Sequence, residues 1–319
     1  MSPTGVVAFS DRALRLSVVI PHLNQPEMLA RCLAALAAGQ RQADEIFVVD
    51  NGSQSLPEAV CAAHPGVVLL QEPLAGPGPA RNLGVARASG DVLAFIDADC
   101  LADPLWLHQA EAALADPAVM ILGGDVRIAL RDPKKLTALE AYESIYAYRM
   151  DRYIAREGFT GTGNLVVRAP VLRDVGPFAG IGVAEDIDWG KRATGKGYRI
   201  RYVAGMKVYH PARSQFSELR QKWDRHVAHF WTEAAKSRAG RLRWLVRTCV
   251  MAVSPLGEIP RILVSDRISG PRNRLLAFAV LTRIRLYRAW MMAWLAFGGD
   301  PDQLAARWNR PAQGKGEQA

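Results

Sequence analysis

The sequence predicts an α/β fold with a mostly parallel sheet flanked by helices, and two observations support that class. Five apolar runs typical of strands alternate with helical patterns between residues 16 and 128. Polar side chains stand where several of those runs end, and in open parallel sheets ligands bind at the carboxyl ends of the strands. We therefore expect a ligand site at that edge of the sheet.

The predicted strands are short runs of apolar and β-branched residues bounded by turn residues. They cover "LSVVIP" (16–21), "EIFVVD" (45–50), "VVLLQE" (67–72), "VLAFID" (92–97) and "VMILGGDVRI" (119–128). Because side chains alternate along a strand, residues two apart at a strand end point to the same side of the sheet.

Helical patterns fill the gaps between these strands. The first three cover 26–39, 79–89 and 103–116, each with a proline or a stop signal near one end. A longer pattern predicts one amphipathic helix over 136–157, and from about residue 214 the chain is helical and rich in Arg and Trp. We predict a first domain over 15–235 and a helical extension over 236–319, whose polar end we expect to fray.

Composition is that of a globular chain with a sizeable core. Hydrophobic residues make up 50% and charged residues 22% of the 319 residues. The four cysteines form no C-x-x-C pair, which argues against a zinc site or a disulfide framework. No basic segment followed by an apolar one opens the chain, so a cytoplasmic location is expected.

Positive charge is concentrated in the last third of the chain. Residues 1–211 carry 21 Lys and Arg against 23 Asp and Glu, whereas residues 212–319 carry 19 against 8. A basic segment of this kind indicates a solvated surface or an anionic partner, either nucleic acid or anionic lipid.

Asp97 and Asp99 end the fourth predicted strand, in "GDVLAFIDADC". Two carboxylates on one side repel each other unless a positive charge lies between them. Mg²⁺ or Mn²⁺ takes one or two carboxylates and fills its other positions with phosphate oxygens and water. A D-x-D pattern is also common in turns and caps, but its place at a sheet edge favours a cation site.

Other polar residues fall at comparable places. Asn24 follows the first strand, and Asp50 ends the second, where it could equally be a turn residue of an Asp-Asn-Gly loop. The Gly/Pro loop "GPGPARNLG" leads into a helix whose first turn holds Arg81. Such a loop could place a guanidinium against a base or a phosphate, although Gly-Pro loops mostly just turn.

Two further candidates lie later in the chain. Glu185 and Asp186 begin a predicted helix, where acidic residues complement the helix dipole whether or not they are catalytic. His210 ends the strand "KVYH" and is either a metal ligand or a structural residue.

The ordered set of motifs resembles the family 2 glycosyltransferases, which have the GT-A fold, a Rossmann-like sheet flanked by helices. The motifs are "SVVIPHLNQPEMLARCLAAL", "DEIFVVDNGS", "GPGPARNLGVARASGDVLAFIDAD", "GTGNLVVRAPVLRDVGPF", "EDIDWGKRATGKGYRIRYV" and "VYHPAR". The resemblance covers about residues 15–235, and the ordered combination is far more specific than any single motif.

The resemblance implies roles in binding the nucleotide. Asp50 matches the family aspartate that contacts the base, and Arg81 matches the arginine on the same base or its phosphates. Asp97 matches the residue that touches the ribose. We expect Asn24, at the end of the first strand, to belong to the same region.

The resemblance also implies roles at the reacting atoms. Asp99 matches the metal-binding residue that holds the diphosphate, and His210 matches a metal or diphosphate contact more loosely. Asp186 matches the catalytic base, and Glu185 lines the acceptor or donor sugar site. Asn164, in "TGTGN", falls where the family shapes its sugar pocket.

The implied reaction is an inverting transfer of a sugar from a nucleoside-diphosphate sugar, by default a UDP-sugar, to an acceptor hydroxyl. Mg²⁺ or Mn²⁺ is the implied cofactor, and the expected acceptor is a glycan or a lipid-linked saccharide of cell-surface polysaccharide synthesis. No nucleic acid partner is expected. One departure is Trp189, which stands where Leu is common and puts the acceptor pocket in doubt.

The segment "LLAFAVLTRIRLYRAWMMAWLAF", residues 275–297, is long enough to cross a bilayer but carries three arginines at its centre. Each would cost about 2.5–3.5 kcal/mol there, so we do not expect it to span. Arg283, Tyr287, Trp290 and Trp294 share one helical stripe. Two alternatives remain open, peripheral contact with an anionic membrane and packing on the rest of the protein.

Two other classes of function are alternatives to a glycosyltransferase. A sugar-nucleotide nucleotidyltransferase has a related sheet but opens with a Gly-rich, basic loop, whereas this chain has "PHLNQPEM" there. A non-catalytic nucleotide- or nucleic-acid-binding protein would explain the basic tail but not the acidic residues at strand ends.

Overall fold

Eight strands form one sheet in the computed structural model of the protein, which describes residues 14–306. The strands are β1 (Leu16–His22), β2 (Glu45–Asp50), β3 (Val67–Gln71), β4 (Val92–Ile96), β5 (Leu101–Ala102), β6 (Ile121–Ala129), β7 (Asn164–Arg168) and β8 (Ile200–Pro211). The expectations for the start of the chain and for its last nine residues fall outside the described part.

The helices that accompany the sheet are α1 (Pro26–Ala37), α2 (Glu58–Ala62), α3 (Pro77–Arg87), α4 (Trp106–Leu114), α6 (Met150–Glu157), α7 (Ala169–Val175) and α8 (Glu185–Gly195). The remaining helices are α5 (Ala138–Tyr146), α9 (Phe216–Ala234), α10 (Arg238–Gly257), α11 (Ile259–Leu263), α12 (Pro271–Ala296) and α13 (Pro301–Ala306).

The strand order is β3-β2-β1-β4-β7-β6-β8-β5. The first four strands in this order are parallel to one another, as predicted. The other half is mixed, because β7 runs antiparallel to both β4 and β6, and β5 antiparallel to β8. The predicted α/β class with helices on a largely parallel sheet is confirmed, and the antiparallel β7 is its main departure.

Side-chain alternation builds a separate core on each face of the sheet. In β1, Val18 and Ile20 pack with α1 and α4, whereas Val19 packs with α3 and α8 on the other face. In β4, Ile96 lies on the same face as Val18 and Phe95 lies on the same face as Val19, and both are fully buried. Burial on both faces explains why β4 reads as a continuous apolar run rather than an alternating one.

The predicted long helix over 136–157 is two helices in the structure, α5 and α6. A capping box starts α5, in which the Thr137 hydroxyl accepts from the Glu140 backbone N–H while the Glu140 carboxylate accepts from the Thr137 backbone N–H. The break follows from Tyr148, whose φ of 49° lies in the left-handed region and cannot continue a right-handed helix. The amphipathic pattern runs through the break, so periodicity alone could not reveal it.

The contacts divide the chain into two compact units. One contains the described residues up to Ala129 together with Tyr148–Pro211, and the other contains Leu130–Ala147 together with the described residues from Ala212 onward. The predicted boundary between 235 and 236 lies inside the second unit, because α9 packs with α10 and α12 there. The segment Leu130–Ala147 joins the same unit because α5 packs against α12.

The second unit is a set of helices with two apolar clusters. Most of the predicted α12 stripe is used in packing, since the Tyr287 hydroxyl donates to Asp224 at 2.8 Å and the Arg283 guanidinium lies 4.1 Å from the centre of the Phe216 ring. Trp294 packs against an apolar cluster that includes Trp244 and Met292, whereas Trp290 is exposed. Among the helices of residues 14–306, none combines the length and apolar composition that crossing a membrane requires.

Candidate active site

The parallel strands β1, β2 and β4 end at one edge of the sheet, and the predicted site residues of the first half lie there. His22 ends β1 and is paired in register with Asp50, the last residue of β2. Asp97 and Asp99 follow β4 directly. The topology therefore brings these strand ends, and the residues on them, to one edge of the sheet.

Arg81, on α3, joins two acidic segments that are far apart in sequence. Its Nη2 donates to Asp97 Oδ1 at 2.6 Å and its Nη1 donates to Glu185 Oε1 at 2.8 Å. The guanidinium is almost fully buried, and charge-assisted hydrogen bonds of this length are among the stronger ones in proteins. The strand end after β4 and the start of α8 are thereby fixed in one site.

Asp186 is the second residue of α8, beside Glu185. Its own carboxylate accepts from the Ile187 backbone N–H at 2.8 Å. Burial raises the pKa of Asp186, and the neighbouring Glu185 adds to that rise, while the Ile187 N–H and Arg81 oppose it. A carboxylate with a raised pKa in a cleft is a stronger base than an exposed aspartate, which suits proton removal.

Asp99 and His210 face each other across the ends of β4 and β8. Asp99 Oδ2 lies 3.5 Å from His210 Nε2, and these two side chains with Cys100 can point their ligand atoms within 4.8 Å of one another. Burial raises the pKa of the Asp99 carboxyl, Asp97 raises it further, and His210 opposes both. Burial and Asp97 make the ionised form of Asp99 unfavourable, so a cation beside the carboxylate would stabilise that form.

The donor set fits a divalent cation held by Asp99 and His210. Carboxylate oxygen and imidazole nitrogen suit Mn²⁺, and carboxylate oxygen suits Mg²⁺. Cys100 is a poor third ligand because burial and the two nearby carboxylates raise the pKa of its thiol well above the ordinary value. The remaining positions of such an ion are left for water and substrate oxygens.

Tyr148 orients His210. The Tyr148 hydroxyl lies 3.0 Å from His210 Nε2, the two ring centres are 4.5 Å apart, and the Pro211 carbonyl lies 2.7 Å from Nδ1. The left-handed backbone at Tyr148, which breaks the predicted long helix, thus supplies a side chain to the candidate metal site.

Asp50 is held by a fully buried histidine. His22 Nδ1 lies 2.9 Å from Asp50 Oδ1, while His22 Nε2 accepts from the Gln25 backbone N–H at 3.1 Å, which places the ring proton on Nδ1. Asp50 Oδ2 accepts from the Ser53 N–H at 3.0 Å. Burial raises the pKa of Asp50, but hydrogen bonds from Ser53 and His22 outweigh it and hold that pKa below its usual value.

Asn24 ties the loop after β1 to the loop after β2. Its backbone N–H donates to the Ser53 hydroxyl and its side-chain oxygen accepts from the Gln54 N–H, both at 2.8 Å. The φ of Asn24 is 53°, a conformation that Asn adopts more readily than most residues. Asn24 therefore shapes the rim next to Asp50.

Asn164 lies beneath the site rather than in it. Its side chain is fully buried, its Oδ1 accepts from Trp106 Nε1 at 2.8 Å, and its Nδ2 donates to the carbonyls of Asp125 and Met206 at 2.9 and 3.0 Å. Contact with a sugar would require these bonds to break. The neighbouring Gly163 is the residue at the site, because a Cβ there would lie 2.5 Å from Asp97 Oδ2.

Gly78 and Asn82 near the Gly/Pro loop, and Trp189 on α8, contribute to packing. A Cβ on Gly78 would lie 1.9 Å from the Ala179 carbonyl oxygen, so this glycine admits a neighbouring loop. Asn82 fixes that loop through two hydrogen bonds to the Phe178 backbone. Trp189 is fully buried and donates to the Gly176 carbonyl at 3.1 Å, so the departure at this position lies in the core.

Sequence reasoning did not identify His22 or Tyr148 as functional. A signal existed for His22, since it ends a strand predicted to lie beside the one that ends in Asp50. No comparable signal existed for Tyr148, which lies inside an uninterrupted helical pattern.

Comparison with known proteins supports the same picture. Residues 17–176 match the family described as Glycosyl transferase family 2. The chain belongs to this family. Glycosyltransferase AglE of Haloferax volcanii is 34% identical over 215 residues, which cover 65% of this chain and 70% of that protein. The family predicted from the motifs is therefore confirmed, and the protein is a glycosyltransferase.

Two further comparisons extend over more of the chain. The pre-mycofactocin glycosyltransferase of Mycobacterium tuberculosis is 28% identical over 290 residues, which cover 88% of this chain but 59% of that protein. The solved mannosyltransferase PcManGT from Pyrobaculum calidifontis, in complex with GDP-Man and Mn²⁺, has a TM-score of 0.54 at 17% identity and covers 93% of this chain and 80% of that one. This last likeness confirms the GT-A fold.

Proposed function

We propose that this family 2 glycosyltransferase is an inverting, divalent-cation-dependent enzyme that transfers a sugar from a nucleoside-diphosphate sugar to an acceptor hydroxyl. The observation that carries the proposal is the buried Arg81, which bonds Asp97 at 2.6 Å and Glu185 at 2.8 Å. It brings the strand end bearing Asp99 and the helix start bearing Asp186 into one site. The proposed base and the proposed cation ligand therefore act on the same substrate.

The donor nucleotide is proposed to lie along the edge formed by β1, β2 and β4. Asp50, positioned by His22, accepts from the base, and Asp97 accepts from the ribose. Arg81 lies near the phosphates, and its positive charge also offsets the repulsion between the carboxylates of Asp97 and Glu185. The default donor is a UDP-sugar, and a GDP-sugar is the first alternative, since PcManGT was solved with GDP-Man.

Transfer follows from the charges at this edge. The acceptor hydroxyl gives its proton to the Asp186 carboxylate while its oxygen attacks the anomeric carbon, and the bond from that carbon to the diphosphate oxygen breaks. Asp99 and His210 would hold a divalent cation, which when bound would supply positive charge to stabilise the departing diphosphate. One displacement by one base inverts the anomeric configuration.

The proposed acceptor is a glycan or a lipid-linked saccharide used in building cell-surface polysaccharide. One relative is a pre-mycofactocin glycosyltransferase, so a precursor of that kind is a second acceptor class to test. The proposed role of Asp186 as general base is the same for any acceptor hydroxyl.

The proposal is tested by measuring donor hydrolysis and transfer with a panel of UDP- and GDP-sugars, with Mn²⁺, with Mg²⁺ and with a chelator. We expect turnover with a divalent cation and loss of turnover with the chelator. Asp99→Asn should lose cation-dependent binding of the nucleoside diphosphate, as measured by calorimetry, whereas Asp132→Asn, an exposed aspartate, should not. Full turnover under chelation, or release of pyrophosphate from a nucleoside triphosphate and a sugar phosphate, would contradict it.

A further inference from the structure

The outward face of α10 is apolar, which is the reverse of what a helix on a protein surface normally shows. Leu242, Val246, Val250, Val253 and Leu256 each expose between 56% and 65% of their surface. Their spacing of three and four residues places them in one stripe along the helix. Scattered exposed apolar residues need no explanation, but a continuous stripe marks an interaction surface.

The opposite face of α10 is the one that packs inside the helical unit. Trp244 and Pro255 are buried, and Trp244 Nε1 donates to the Met292 carbonyl on α12 at 2.9 Å. At the other end, Arg285 of α12 donates to the Ser254 hydroxyl at 3.1 Å. Contacts at both ends fix the rotation of α10, so the apolar stripe cannot turn inward without breaking them.

Arginines flank the stripe on both sides. At 3.6 residues per turn, Arg241 lies along one border of the stripe, and Arg243 and Arg247 lie along the other. All three are exposed, and α10 contains four arginines and not one Asp or Glu. The helix therefore offers an apolar centre between two cationic borders.

This arrangement matches the chemistry of an anionic bilayer surface. Apolar side chains at the centre of such a helix enter the boundary between headgroups and acyl chains, and the arginines at its borders reach the lipid phosphates. A second copy of the chain fits less well. In a parallel pair of α10 helices arginines would face arginines, and in an antiparallel pair they would face the uncharged second half of the helix, so in neither case would α10 supply an acidic partner.

We propose that α10 lies in the headgroup region of an anionic lipid bilayer, with the stripe Leu242, Val246, Val250, Val253 and Leu256 inserted and Arg241, Arg243 and Arg247 bound to lipid phosphates. The membrane contact considered for the α12 stripe is thereby assigned to α10, because most of the α12 residues pack within the unit. This proposal does not depend on the sugar-transfer reaction.

Flotation of the full chain with vesicles tests it, using phosphatidylcholine alone and phosphatidylcholine mixed with phosphatidylglycerol. We expect binding to the mixed vesicles, weak binding to the neutral ones, and release by high salt. The variant L242Q/V246Q/V250Q/V253Q should bind at least about tenfold more weakly, because the inserted apolar area is lost. The variant V246L/V250L/V253L, which keeps the stripe apolar, should bind as well as the parent or better.

A charge-matched pair tests the arginines separately. R241Q/R243Q/R247Q should lose the preference for mixed vesicles, whereas R156Q/R173Q/R199Q removes the same charge from exposed positions in the other unit and should keep it. All substituted side chains are exposed, so thermal unfolding should stay close to that of the parent.

Three results would overturn the proposal. They are equal flotation of the parent and the glutamine variant, equal loss in both arginine variants, and a dimer in solution that the glutamine variant abolishes while vesicle binding is absent. Donor hydrolysis is measured without lipid for the same variants. It reports on sugar transfer alone, so a failure of one proposal is distinguishable from a failure of the other.

Discussion

Arg81 donates a 2.8 Å hydrogen bond to Glu185, a residue 104 positions later in the chain. The same guanidinium bonds Asp97, so three charged groups meet where the sheet edge and the start of α8 come together. Removing the central charge leaves two carboxylates facing each other in a partly buried site. We therefore expect Arg81 to contribute both to stability and to activity.

Arg81→Met should therefore lower both stability and catalytic efficiency. Methionine fills a similar volume but leaves Asp97 and Glu185 without their cation, so we expect the free energy of unfolding to fall by about 1–3 kcal/mol. We also expect kcat/KM for the donor to fall at least about a hundredfold. Urea unfolding and steady-state kinetics measure the two effects. Arg87→Met, at an exposed position on the same helix, is the control and should change neither.

Asp186→Asn should remove turnover but keep the nucleotide. A general base contributes about 10²–10⁴-fold to a rate, and the loss should appear in kcat, with calorimetric binding of the nucleoside diphosphate retained. Asp188→Asn, two residues along α8 and paired with Arg192, is the matched control. If Asp186→Asn turns over as fast as the parent, another group takes the proton.

The pH dependence follows from the raised pKa of Asp186. The base acts only when ionised, so kcat/KM should rise with pH through a midpoint above that of an ordinary aspartate. Because the pKa is higher in the folded chain than in the unfolded chain, ionisation of Asp186 costs stability as pH rises through that range. Asp186→Asn should thus be at least as stable as the parent at neutral pH, which thermal unfolding at several pH values would measure.

His22→Asn tests the support of Asp50. The substitution shortens the side chain and removes the ring that bonds Asp50 at 2.9 Å, so Asp50 should lose its fixed orientation. We expect about a tenfold loss of nucleotide affinity with kcat much less affected, because the base-contacting end of the donor lies away from the reacting atoms. Calorimetry with the free nucleoside diphosphate measures it. His108→Asn, an exposed histidine on α4, serves as control, and equal affinities in both variants would refute the role.

Tyr148→Phe tests the support of His210. The hydroxyl lies 3.2 Å from His210 Nδ1, the ring nitrogen other than the one nearest Asp99, and groups that orient metal ligands typically affect metal affinity by about 10–100-fold. We expect the Mn²⁺ concentration for half-maximal activity to rise by about tenfold, while activity at saturating Mn²⁺ changes little. Tyr153→Phe, on the helix that follows, should leave the Mn²⁺ dependence unchanged. Identical Mn²⁺ titrations for both variants would remove Tyr148 from the site.

Much of the parallel half of the sheet was predictable because its strands are short runs with mainly apolar centres. β2 has the predicted bounds, and β1 differs from its prediction by one residue. The antiparallel β7 was not foreseen, since pairing direction depends on the path of the chain and not on the composition of the strand. The two compact units divide at Ala212, ahead of the predicted domain boundary at 235/236, and the helical pattern of α9 does not indicate which unit the helix joins.

Sequence patterns indicated candidate site residues but not the contacts between them. Strand ends and motif order pointed to Asp50, Asp97 and Asp99, but the Arg81 bridge depends on three-dimensional proximity that spacing does not encode. Asn164 is a predicted site residue whose contacts are internal to the protein. The family resemblance implied a place in the sugar pocket for this residue, yet its burial and its three internal hydrogen bonds appear only in the folded structure.

Gly163→Ala and Asn164→Ala, at adjacent positions, should have opposite consequences. A methyl group at 163 would lie 2.5 Å from Asp97 Oδ2 and must displace a carboxylate of the site, so activity should fall at least about tenfold with little loss of stability. Loss of the Asn164 amide leaves Trp106 Nε1 and two buried carbonyls unpaired, so the free energy of unfolding should fall by about 2–4 kcal/mol. Its folded fraction should keep the parental KM for the donor. Urea unfolding together with kinetics well below the melting temperature separates the two effects, and a raised KM in a fully stable Asn164→Ala would instead place that side chain against the sugar.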